Sequence, residues 1–176
     1  MNEPSRQIAP TTLLVGTTKG LVIFEKRTTG WEIQQVLFLG MPINIVYVDS
    51  VNKTWWVSIS HHHWGQKLQY SKDRGTTWQT VSPPKYPTTS ILPSNKTATL
   101  KKIWCIQQGG LSHPNRLWLG TEPGGLFISE DYGQSFSLVK PLWQHPSRMN
   151  RLQWFGTGRS EPYIHSIIVD LSLIHI

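Results

Sequence analysis

Ser71-Lys72-Asp73-Arg74-Gly75-Thr76-Thr77-Trp78 and Ser129-Glu130-Asp131-Tyr132-Gly133-Gln134-Ser135-Phe136 carry one message twice. Both read Ser-x-Asp-x-Gly-x-(Ser/Thr)-aromatic, and each follows a short apolar run. The physics is that of a hairpin turn. Asp73 and Asp131 can accept hydrogen bonds from the amides of the turn they start. Gly75 and Gly133 supply the positive φ of a tight connection. Thr77 and Ser135 offer hydroxyls that close the turn locally. Trp78 and Phe136 begin the returning strand and bury a large ring between neighbouring sheets. Ser71 and Ser129 open each octet, so all ten of these residues read as structural. A turn of this kind that recurs marks a repeat protein.

Working outward, the repeat aligns as four strands. The innermost is apolar and ends near an acid: Ile43 to Asp49, Ile103 to Gln107, Ile164 to Asp170. The second is Thr54 to Ile59 and Arg116 to Thr121; the third is Lys67 to Ser71 and Leu126 to Ser129. The fourth starts at Trp78 and at Phe136. The octets stand 58 residues apart, which suits a four-stranded blade with one long connection. The first copy is incomplete: Leu13 to Thr17, Leu21 to Glu25 and Trp31 to Leu37 match strands two, three and four, with no innermost strand before them. The expected fold is therefore all-β: a partial β-propeller of four-stranded antiparallel blades, about three blades plus the first strand of a fourth.

The octet resembles the Asp-box, the repeat of bacterial neuraminidases found in many β-propellers. Three further stretches carry the likeness: Leu14-Val15-Gly16-Thr17 with Lys19-Gly20-Leu21, Leu119-Gly120-Thr121-Glu122-Pro123-Gly124-Gly125-Leu126-Phe127, and Trp143-Gln144-His145-Pro146-Ser147-Arg148. Together they look like bacterial propellers described as sialidase-like or glycosyl-hydrolase-like, over about Leu13 to Asp170. The resemblance implies fold far more than chemistry, since one fold hosts enzymes, receptors and assembly factors. True sialidases share an arginine triad, a tyrosine nucleophile with its acid partner, and a Phe-Arg-Ile-Pro segment. Here Phe38-Leu39-Gly40-Met41-Pro42 is the nearest stretch, and Arg148, Arg151 and Arg159 cluster on the relevant face. Tyr163 can be cast as a nucleophile, but nothing requires it. The full sialidase motif set is absent from this stretch of chain.

Composition bounds the alternatives. The chain has 176 residues, 38% hydrophobic and 11% aromatic with nine tryptophans, a globular balance. The net charge is +7, but the basic residues are scattered, the longest run being Lys101-Lys102, so a solvated surface is expected and not a nucleic-acid partner. Gly16-Thr17-Thr18-Lys19-Gly20 is a hairpin turn and lacks the phosphate-loop pattern. Asn52-Lys53-Thr54 and Asn95-Lys96-Thr97 match a glycosylation acceptor, relevant only in a secreted eukaryotic protein. Cys105 is alone, in an apolar strand pattern, and reads as a buried inert thiol. Met1 to Thr12 reads as a disordered polar tail without a signal peptide's apolar core. No stretch approaches the roughly 20 apolar residues of a membrane helix. A cytoplasmic protein with no membrane partner is the simplest expectation. Leu171-Ser172-Leu173-Ile174-His175-Ile176 reads as a sequencing-adaptor scar, against the alternative of a natural apolar strand. If it is a scar, the natural chain continues. Three blades cannot close a ring. Each open end would expose apolar sheet faces and strand edges, so a poorly soluble or partly ordered fragment is expected.

Three long connections fall on the face opposite the octets: Ser60 to Gln66, Ser82 to Leu100 and Lys140 to Tyr163. Loops on a rigid scaffold tend to carry function. Candidate ligand-binding residues there are His61, His63, Trp64, His145, Arg148 and Trp154; rings stack on sugars and guanidinium groups grip carboxylates. Candidate catalytic residues are Glu122, Glu161 and His165, since glycosidases need two carboxylates across the bond. Asn44, Trp104 and His165 are each second in an innermost strand and would ring a channel mouth. His165 can be a ligand or base, or a hydrogen-bonded histidine packed between blades. His61-His62-His63 invites a metal reading, but no zinc spacing accompanies it and an exposed loop is expected, with neither metal nor cofactor. Two functional readings remain: a scaffold that binds a carbohydrate or protein ligand on the long-loop face, and a sialidase-like or other glycoside hydrolase with its site on that face.

Overall fold

The computed structural model describes residues 11–61, 63, 65–149 and 161–170. They form three antiparallel meander sheets. The first joins β1 (Thr12–Thr17), β2 (Gly20–Arg27) and β3 (Gly30–Leu37). The second joins β4 (Ile43–Asp49), β5 (Thr54–His61), β6 (Gly65–Ser71) and β7 (Gln79–Val81). The third joins β8 (Lys102–Gln108), β9 (Leu117–Glu122), β10 (Leu126–Ser129) and β11 (Ser137–Leu138). A short helix, α1 (Lys140–Trp143), and a 3-10 turn (Pro146–Met149) follow. The fold is the expected partial propeller: two four-stranded blades and a first blade with three strands, none of them an inner strand, among the described residues. The first blade leaves Trp31, Ile33 and Val36 of β3 and Leu13 of β1 exposed. No helix among the described residues is long and apolar enough to cross a membrane.

Two cores lie between the blades. The first holds Leu21, Ile23, Ile43, Trp55, Val57 and Ile59, closed by Phe38 and Trp78, whose rings meet edge to face at 5.1 Å. The second holds Trp56, Leu68, Tyr70, Ile103, Ile106, Leu117, Leu119 and Phe127, with Tyr132 and Phe136 packed against it. Successive strand side chains point to opposite faces, so β5 sends Trp55, Val57 and Ile59 into one core and Trp56 into the other.

The octets form the expected hairpins, half-burying Trp78 and Phe136 between sheets. The bonds of Ser, Asp, Gly and the Thr/Ser position match in the two octets. Asp73 Oδ1 accepts from Thr77 N at 2.9 Å and Asp73 Oδ2 from Thr77 Oγ1 at 2.6 Å. Asp131 makes the same bonds to Ser135 at 2.9 and 2.6 Å. The serines do more than the sequence suggested: Ser71 Oγ donates to Asp73 Oδ1 and accepts from Gly75 N, both at 2.7 Å. Ser129 Oγ repeats this with Asp131 and Gly133 at 2.8 and 2.7 Å. Gly75 and Gly133 have φ of 91° and 85°. A second constraint acts on them: a Cβ would lie 3.1 Å from Trp55 at Gly75 and 2.7 Å from Trp56 at Gly133. Each glycine thus seals the base of an inter-blade core.

Three expectations need correction. Thr12, read as tail, begins β1; residues 1–10 and the hexamer 171–176 lie outside the described residues. Cys105 is only part-buried; its Sγ donates to Ile164 O at 3.5 Å, and burial still pushes the thiol up to about 11. Ile164 to Asp170, expected as an inner strand, is not a strand. A strand is defined by its ladder, and no ladder is formed over residues 164–170 among the described residues. It nevertheless starts where an inner strand should. Ile164 N donates to Thr121 O at 3.2 Å. A Cβ on Gly120 would lie 2.4 Å from Ile164 O, just as one on Gly16 would lie 2.9 Å from Ile43 Cγ2.

Candidate functional site

The long-loop face is organised by two β-bulges. The β4–β5 register shifts between Ile43 and Ile45, and the β8–β9 register between Ile103 and Cys105. The extra residues are Asn44 and Trp104, so the two positions paired by sequence are equivalent in the structure. A bulge re-aims its side chain and often sits beside a site.

Trp104 is the centre of the better-defined region. Its indole stacks on Tyr163 with centroids 4.7 Å apart and planes at 23°. Its Nε1 donates to Glu122 Oε2 at 3.1 Å, and Lys102 Nζ lies 4.1 Å from its ring centroid. Glu122 is 5% exposed at the end of β9, and its carbonyl accepts from Lys101 N at 2.9 Å. Lys101 Nζ in turn pairs with Glu161 at 2.9 Å. His165 is exposed, its ring 5.8 Å from that of Tyr163, so it is not packed between blades. The structure therefore brings Glu122, Glu161 and His165 into one neighbourhood through Lys101, Trp104 and Tyr163. The Lys101–Glu161 pair has no signature in the sequence, because ion pairs between loops have no spacing rule.

The other candidates that the structure describes have internal partners. Arg148 is 4% exposed, lies 3.6 Å from the Trp143 ring centroid and donates from Nη1 to Trp143 O at 3.0 Å. Desolvation pushes its pKa down. Trp143 packs on Tyr86, and Tyr86 on Phe127, with centroids 5.0 Å apart in both pairs. Tyr86 OH bonds Thr121 Oγ1 at 2.6 Å and donates to Pro123 O; burial raises its pKa. This explains the glycine-rich stretch after β9: a Cβ at Gly125 would lie 2.4 Å from Tyr86 OH, and one at Gly124 would touch Pro162 at 3.4 Å. His145 is exposed, and its Nδ1 bonds Ser147 Oγ at 2.7 Å at the start of the 3-10 turn. His61 Nδ1 accepts from His63 N at 3.2 Å, the two rings 5.9 Å apart. No group of three His, Cys, Asp or Glu residues suited to a metal occurs among the described residues. His62, Trp64, Arg151, Trp154, Phe155 and Arg159 lie outside them.

No protein-family profile matches the chain, and no curated protein matches it. Among solved structures, the GH74 xyloglucanase from Xanthomonas campestris matches with a TM-score of 0.51 and 15% identity, over 76% of this chain. The chain spans 19% of that enzyme's length. At this identity the likeness is one of fold: the blades of this chain are arranged like those of a propeller-type glycoside hydrolase.

Proposed function

We propose that this chain is part of an Asp-box propeller that acts as a ligand-binding scaffold, taking a carbohydrate or protein on the long-loop face. One observation carries this reading. Glu122 is held by Trp104 and Glu161 by Lys101, while Arg148 is packed on Trp143. Charged groups committed to internal partners build a rigid surface rather than two carboxylates poised across a glycosidic bond. The same face carries Lys102 over the Trp104 ring, Tyr163 stacked on that ring and His165 beside Tyr163, a mixed aromatic and basic patch.

The fold likeness to a xyloglucanase favours a second reading, a glycoside hydrolase in which Glu122 is the acid. Incubation with xyloglucan oligosaccharides, with reducing ends measured over time, separates the two. The scaffold reading expects no release above buffer from the unmodified chain or from Glu122→Gln, which keeps an oxygen for Trp104 Nε1. Release that Glu122→Gln abolishes, with an unchanged circular dichroism spectrum, would establish the hydrolase and overturn the scaffold.

A further inference from the structure

A cavity of about 410 Å³ lies between the Ser82 to Leu100 connection, Lys101 and Glu161. The connection builds its own wall there as a small hairpin. Leu92 N donates to Lys96 O at 2.9 Å, Asn95 N to Leu92 O at 2.8 Å and Ala98 N to Ser90 O at 2.8 Å. Leu92 and Ala98 are buried and anchor the hairpin on the protein. Ser94, Lys96, Thr97 and Thr99 are exposed and line the cavity. Alternation along the chain thus turns the apolar side chains inward and leaves hydroxyls and an ammonium group on the cavity side.

Lys101 completes the wall from a fixed point. Its N–H donates to Glu122 O at 2.9 Å, and its carbonyl accepts from Gln66 Nε2 at 2.8 Å. Its Nζ pairs with Glu161 at 2.9 Å, and the Glu161 side chain is only 15% exposed. The carboxylate therefore aims the ammonium group, which has two further hydrogens to donate. Two lysines against one glutamate leave one positive charge in excess at the cavity. Lys102, one residue on, turns instead to the Trp104 ring, so the cavity stands apart from that patch.

We propose that this cavity binds a small phosphorylated sugar or polyol. A planar carboxylate is best gripped by the two-pronged guanidinium of arginine, whereas lysine serves phosphate as a point charge. The cations of this cavity are lysines. The hydroxyls of Ser94, Thr97 and Thr99 both donate and accept, as the hydroxyls of a polyol require. Ligand pockets start at about 300 Å³, so a cavity of about 410 Å³ suits a small molecule and not a polymer. Lys96 and Lys101 hold the phosphate, and the three hydroxyls hold the polyol. The assignment names a ligand class for the scaffold reading above and rests on it.

Calorimetric titration of the unmodified chain with glucose 6-phosphate tests the site. Saturation of one site is expected. Lys96→Gln changes an exposed residue and is expected to weaken binding at least about tenfold, the worth of one charge-assisted hydrogen bond. Lys85→Gln removes the same charge from an exposed position on the same connection outside the cavity, and is expected to leave binding unchanged. Glucose lacks the phosphate and inorganic phosphate lacks the polyol, so each is expected to bind at least about tenfold more weakly than the ester. Failure to saturate, an equal loss in the two lysine variants, or either half binding as tightly as the ester would overturn the site and leave the scaffold reading standing. Release of reducing ends from xyloglucan oligosaccharides overturns the scaffold reading instead, and the titrations still decide the site.

Discussion

The hairpins Ser71–Trp78 and Ser129–Phe136 share five side-chain bonds that close the turn, yet they differ in what they grasp outside. Tyr132 reaches Asp49, which also accepts from Val51 N, Asn52 N and Asn52 Nδ2 at 2.9, 3.0 and 2.8 Å. Arg74, at the matching place, reaches only a threonine hydroxyl of an edge strand. Eight residues suffice to specify a turn. What the turn fastens depends on the single variable residue between Asp and Gly, and on whether the preceding blade has an inner strand to offer.

The largest expected break in this comparison is at the tryptophan each hairpin glycine covers. Trp56→Ala removes a ring that is fully buried against Tyr70 and Tyr132 and is expected to cost about 3–5 kcal/mol in urea denaturation. Trp55→Ala, at the more open first core, is expected to cost less; an equal or larger loss would show that the two cores are equally closed. Next, Tyr132→Phe takes one donor from the buried Asp49 carboxylate and is expected to cost about 1–2 kcal/mol. Arg74→Ala removes only an exposed bond and is expected to cost less than about 0.5 kcal/mol. Reversal of that order would mean that the variable residue does not set the hairpin's hold.

Acid titration gives the smallest and most even effect. The threonine and serine hydroxyls that bond Asp73 and Asp131 hold both carboxyls down at about 2. A folded-state pKa below the unfolded value of about 3.9 contributes stability that is fully present above that pH. The contribution is lost as pH falls from about 4 through 2. Thr77→Ala and Ser135→Ala should each flatten that part of the stability curve to a similar degree. A flattening confined to one hairpin would break the equivalence of the two turns.

Much of the fold was legible because its instructions are local. The octets, the strand patterns and the missing inner strand of the first blade can each be read from a few adjacent residues. Ile164–Asp170 shows the limit: its pattern is that of an inner strand, yet the described residues form no ladder there, and pairing is not a property of the segment alone. The long-loop face was less legible. Arg148 and His145 have ligand-binding chemistry, and the structure uses that chemistry to pin loops to Trp143 and Ser147. Glu122 drew attention as an acid, but the indole it accepts from lies 18 residues away on a bulge. Bulges arise from pairing register, which residue types alone do not reveal. Gly124 and Gly125 belong to a stretch that carries the family likeness, and Pro162 and Tyr86 fill the space beside them.

The paired tryptophans of β5 have a thermodynamic consequence. Because one backbone anchors adjacent indoles in two different cores, β5 is a party wall: it cannot loosen toward one neighbour without disturbing the other. Stacked repeats couple through such shared walls, and here the coupling passes through a single peptide unit. Heating should therefore melt both cores in one calorimetric transition, with the middle blade the last to exchange its amides.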